Sequence, residues 1–128
     1  MPPALPPPAP PVEIISIADT HHVSEYYVRM IAHDFGLDAT STDQMVETIR
    51  GESGFDPTKK GDHGTSWGLV QIHITEKSHP DISIAEALDP DFSLRFMANE
   101  FKNNRKWQWT VWCQKYVPGY PQVPCKSP

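Results

Sequence analysis

Residues 51–72 read GESGFDPTKKGDHGTSWGLVQI, and the fold turns on what must surround them. Glu52 closes a helical pattern in which Met45, Ile49 and Glu52 stand at i, i+4 and i+7, the spacing of one core-facing stripe. A bare carboxylate on such a stripe is costly to bury, so it needs a partner, a raised pKa, or both. Its place near the helix C-terminus pushes the same way, because the negative end of the helix dipole disfavours the ionised form. Arg50, two residues back, projects from another side of the helix and is a poor partner. The bland reading is a capped or salt-bridged helix-end acid. The sharper one is a carboxyl kept protonated near neutral pH, able to protonate a leaving oxygen.

Upstream, Ser41-Thr42-Asp43-Gln44 has the form of a capping box, with Ser41 as N-cap and Gln44 at N3. It predicts a short helix through Met45, Val46 and Ile49 to Glu52, largely buried in so small a chain. Gly51 offers no side chain to obstruct a neighbouring helix or a ligand. Downstream, Asp56-Pro57 breaks the helix and opens a turn-rich loop through Thr65. Asp56, Thr58, Lys60 and Gly61 imitate the start of a calcium loop, but lysine at the fifth position and Trp67 in place of the bidentate acid rule it out.

Taken together, Glu52-Ser53-Gly54-Phe55-Asp56-Pro57 and Gly61-Asp62-His63-Gly64-Thr65-Ser66-Trp67-Gly68-Leu69-Val70-Gln71-Ile72 resemble the lysozyme-like superfamily. The nearest likenesses are the goose-type lysozymes and the soluble lytic transglycosylases. Both carry a helix-borne Glu-Ser pair followed by a G-L-M-Q segment; Val70 stands where Met is usual. The resemblance spans Ser24 to Trp112. It implies a mainly α, α+β fold of about five helices around a central catalytic helix, with a loop or small hairpin as one cleft wall. It also implies cleavage of the β-1,4 bond between N-acetylmuramic acid and N-acetylglucosamine in peptidoglycan, with Glu52 as general acid.

The loop matches the goose-type pattern G-D-x-G-x-x-aromatic-G, which assigns Asp62 to holding the attacking water. By itself, an aspartate in a glycine-rich loop is usually a solvated turn residue. Gly68 would let backbone approach a sugar closely, and Gln71 would bond an acetamido or hydroxyl group. Ser66, His73 and Trp107 complete the candidate substrate-binding set. Two positions depart from the relatives. His73 stands where goose-type enzymes place a second aspartate, and Ser66 where hen-type enzymes place their second carboxylate, so the retaining mechanism is not supported. On its hydrophobic segment (Val70, Ile72, Ile74), His73 reads as structural ahead of catalytic. Hydrolysis through Asp62 and attack by the substrate's own C6 hydroxyl, as in lytic transglycosylases, both stay open. So does a module that binds glycan without turnover. No cofactor or metal is implied, and a monomer is expected.

The remaining chain frames this centre. Residues 1–11, MPPALPPPAPP, form a proline-rich tail or linker ahead of a catalytic domain over 12–128. Val12–Ile17 is β-branched and predicts a strand or extended segment. Val23, Tyr26, Tyr27, Met30, Ile31 and Phe35 predict a helix with both tyrosines in the core, closed by Gly36 and Leu37 in a Schellman-type cap. His21, His22 and His33 show no ligand spacing. Ser83-Ile84-Ala85-Glu86 is a second capping box, and Asp89-Pro90 is the N-cap and N1 of a last long helix. That helix buries Leu94, Met97 and Phe101, with Phe96 beside them, and ends in a solvated basic turn at 103–106. Trp107, Trp109 and Trp112 divide between groove wall and core anchor.

A net charge of −5 opposes nucleic-acid binding and any long-range attraction to an anionic wall. No stretch approaches the roughly 18–20 apolar residues of a membrane span, and no signal peptide is visible. Cys113 and Cys125 are the only cysteines. They are either bonded, which implies an oxidising compartment and a secreted or envelope location, or free thiols in a reducing cell.

Overall fold

A computed structural model describes residues 22–126. Five helices and a small sheet carry the chain: α1 (Glu25–Asp34), α2 (Ala39–Ser53), β1 (Lys60–Gly61), β2 (Ser66–Trp67), β3 (Ile72–His73), α3 (Ile84–Leu88), α4 (Pro90–Lys102) and α5 (Thr110–Tyr116). A 3-10 turn at Lys106–Gln108 precedes α5. The fold is mainly helical, of the α+β kind. Helix α2 is the centre, packed on α1, α4 and α5. Met45, Val46 and Ile49 are fully buried against Val28, Ile31, Leu94, Met97 and Phe101 in one contiguous core.

Start and stop signals explain most helix ends. Ser24 caps α1, accepting a hydrogen bond from the Tyr27 amide. Its other end is the expected Schellman arrangement: the Leu37 amide donates to Ala32 and the Gly36 amide to His33. The Ser83–Glu86 capping box is present in both directions, and Asp89 with Pro90 opens α4.

Three expectations need correction. Helix α2 begins not at Ser41 but at Ala39, with Asp38 as N-cap accepting from the Ser41 amide at 2.7 Å. The Schellman turn delivers the chain directly to Asp38, whose carboxylate caps first. Ser41 and Gln44 bond instead to distant groups: Lys106 Nζ reaches both, and Trp112 Nε1 donates to Gln44. That also removes Lys106 from the solvated turn, where burial now pulls its ammonium pKa down. Lastly, α1 is rotated: Tyr27, Val28, Ile31 and Ala32 face inward, while Tyr26 and Met30 are exposed. The buried Tyr27 hydroxyl sets that rotation by donating to Asp91 on α4. The predicted strand at 12–17 and His21 lie outside the described residues.

The segment after α2 folds into a three-stranded antiparallel sheet in the order β1-β2-β3, with Gly61 opposite Ser66 and Ser66 opposite His73. Cys113 on α5 is bonded to Cys125, tying the C-terminal segment back to the body. Among the described residues no helix is long and apolar enough to cross a membrane.

Candidate active site

Three side chains hold the carbonyls in and beside the Gly68–Gln71 segment, two from elsewhere in the chain and one the segment's own. The Ser53 hydroxyl, at the end of α2, donates to Leu69 at 2.6 Å. The Trp109 indole donates to Val70 at 2.8 Å. Gln71 Nε2 donates to Gly68 and to Lys59, closing the base of the β1–β2 hairpin. Buried carbonyls outside a ladder need such donors. The sheet is thereby fixed to the end of α2, and the two become opposite walls of one cleft.

That cleft has a volume of about 600 Å³ and is lined by Glu52, Asp62, Ser66, Gln71, His73 and Trp107 from the sequence-derived set. Gly68 is not among them. A Cβ there would lie 2.0 Å from the Ala87 carbonyl oxygen, so its missing side chain admits the end of α3 and not a sugar. Gln71 is on the wall, but both its amide hydrogens are spent on backbone carbonyls. Trp107 lines the cleft, whereas Trp109 is buried and Trp112 is half-buried against Gln44.

Glu52 is half-buried at the base of the cleft. Its carboxyl is raised from 4.5 to about 7, first because burial strips water from the charged form, and further by the Asp62 carboxylate nearby. The Val111 amide, which donates to Glu52, and the Lys59 ammonium oppose the rise without cancelling it. Val111 lies in the first turn of α5, whose N-cap, Trp109, offers no side-chain acceptor. Glu52 thus supplies from another helix the acceptor that α5 lacks. Helix α5 comes so near because Gly51 is bare: a Cβ there would sit 2.6 Å from Val111 Cγ1. A mere capping carboxylate would have a lowered pKa; here desolvation wins.

Opposite, Asp62 is exposed on the hairpin turn after β1. The Ser66 hydroxyl donates to its Oδ2, and His73 Nδ1 lies 3.3 Å from the same Ser66 oxygen. This is not a nucleophilic triad, because the serine lies between imidazole and carboxylate and gives its proton to the carboxylate. Asp62, Gln71 and His79, all lining the cleft, hold φ of 50°, 55° and 51°. A non-glycine residue pays on the order of 1 kcal/mol for that region, and such positions cluster at functional sites.

The sequence reading missed the Val111 amide, Gln108 and His79 as cleft groups. Gly51 was the one sequence signal for Val111, marking a close neighbour without naming it, and Gln108 and His79 had none. No protein-family model, curated protein or solved structure matches the chain.

Proposed function

We propose that this chain is a peptidoglycan-cleaving muramidase of lysozyme-like type, acting on the β-1,4 bond between N-acetylmuramic acid and N-acetylglucosamine. One observation carries the reading: a glutamate poised at about pH 7 by burial faces a second carboxylate across an open cleft. Glu52 gives its proton to the glycosidic oxygen as the bond from that oxygen to the anomeric carbon breaks. Water adds to the anomeric carbon from the opposite face and loses a proton to Asp62. Solvent then returns a proton to Glu52 and takes one from Asp62, so each turnover consumes one water. Trp107 offers an aromatic face on which a sugar ring can stack. The disulfide fits work in an oxidising, secreted or envelope setting.

A second reading has an observation in its favour. Among the described residues, Glu52 and Asp62 are the only carboxylates lining the cleft, and Asp62 is solvent-exposed. A weakly held water would lose to the substrate's C6 hydroxyl, giving 1,6-anhydro products as in lytic transglycosylases. Digestion of purified peptidoglycan, with mass spectrometry of the products, decides between them. Reducing-end muropeptides are expected; products lighter by one water would assign transglycosylation. If Glu52→Gln releases products at the native rate, or the native chain only binds glycan, the enzyme reading falls.

A further inference from the structure

The sheet brings together three polar side chains, two on adjacent strands and one on the turn that follows β1. Asp62 follows β1, Ser66 lies on β2 opposite Gly61, and His73 lies on β3 opposite Ser66. Ser66 is 2 % exposed, and its hydroxyl has a single proton, which goes to Asp62 Oδ2. The contact between Ser66 Oγ and His73 Nδ1 at 3.3 Å can then be a hydrogen bond only if the imidazole donates. The geometry therefore calls for a proton on His73 Nδ1, with the donors running from His73 to Ser66 to Asp62. Asp62 Oδ2 is occupied by this donor, so Oδ1 is the oxygen left to meet a water.

We infer that His73 and Ser66 are positioning residues that fix the rotamer of Asp62 and leave Oδ1 as the oxygen that takes a proton from the attacking water; this rests on the glycosidase reading of the site. An exposed aspartate on a hairpin turn would otherwise sample several rotamers. Holding it removes that freedom before the reaction begins, the condition under which a general base is effective. The role differs from sugar binding: the two residues act on turnover through Asp62.

The test combines a tautomer measurement with kinetics on the full chain. Imidazole nitrogen NMR should show His73 with its proton on Nδ1, and this signature should be lost in Ser66→Ala. With peptidoglycan, Ser66→Ala and His73→Ala should each lower kcat by about 10–100-fold with KM little changed, as expected for a misaimed catalytic group. His73→Asn keeps a donor two bonds beyond Cβ and should restore kcat to within about threefold of native. His73 is exposed, so its variants leave the fold intact, and thermal melting of Ser66→Ala separates misfolding from misaiming. An Nε2-protonated His73, native turnover in both alanine variants, or no recovery in His73→Asn overturns the inference while the enzyme stands. A native chain that cleaves no peptidoglycan overturns the glycosidase reading, and the positioning role with it.

Discussion

The two walls of the cleft are built on opposite principles. The Glu52 wall is helix against helix: α2 and α5 meet over Gly51, and burial moves a carboxyl to about 7. The Asp62 wall is two-residue strands and tight turns, with Asp62 and His63 at φ 50° and 57° and both side chains exposed. One wall shifts a carboxyl by excluding water; the other holds an exposed carboxylate by a hydrogen bond from a buried serine. The difference fits a division of labour between a general acid, whose pKa must be shifted, and a base, whose orientation must be set.

The largest expected effect tests the first wall. Turnover should track the protonated fraction of Glu52 and fall about tenfold per pH unit above the shifted pKa, so roughly 100-fold over two units. A rate profile flat from pH 7 to 9 would show that burial does not set the protonation of Glu52.

Stability gives a second, independent test of the same carboxyl. Its native pKa of about 7 lies above the ordinary 4.5, so the folded chain holds a proton that the unfolded chain releases between those values. The stability this group contributes is intact below about pH 4.5 and is lost as pH rises through 7. Glu52→Gln should match the native chain at pH 4 and exceed it at pH 8 by about 2 kcal/mol, once the shift is discounted for remaining solvent contact. Denaturant melts at the two pH values read this directly; equal stability at pH 8 would mean the carboxyl is not desolvated.

Next, Gly51→Ala should lower stability by about 1–3 kcal/mol, because the new methyl meets Val111 Cγ1 and α5 must shift. The same shift should weaken the Val111 amide contact and displace the pH–rate curve of Glu52. A melting temperature and pH profile identical to native would show that the helices can separate freely. The smallest effect lies on the other wall. His63→Gly at φ 57° should relieve left-handed backbone and leave stability unchanged or raised by up to about 1 kcal/mol, with turnover unaffected. A clear loss of stability would show that the His63 side chain, and not the turn, holds the hairpin.

Much of the helical wall was legible in the chain. The Met45–Ile49–Glu52 stripe placed an acid on the core side of a helix end, Gly36-Leu37 and Ser83–Glu86 marked caps, and Asp89-Pro90 opened α4. The errors fell where two local signals competed. Ser41 is the expected cap of α2 where Asp38 serves, and both tyrosines are expected inside where only Tyr27 is. Asp38 caps because the preceding turn delivers it first, leaving Ser41 to Lys106, and Tyr27 is turned inward by its distant partner Asp91.

A mainly helical chain with a glutamate at the inner end of its central helix could be read from residue order, because caps, breakers and stripe spacing act within a turn or two of backbone. It took the folded chain to reveal that Gly68 faces Ala87, that Gln71 is spent on backbone, that Val111 meets Glu52, and that His73 and Ser66 stand behind Asp62. Each of those facts joins groups brought together by packing, and burial or hydrogen bonding between them exists only once the chain has closed on itself.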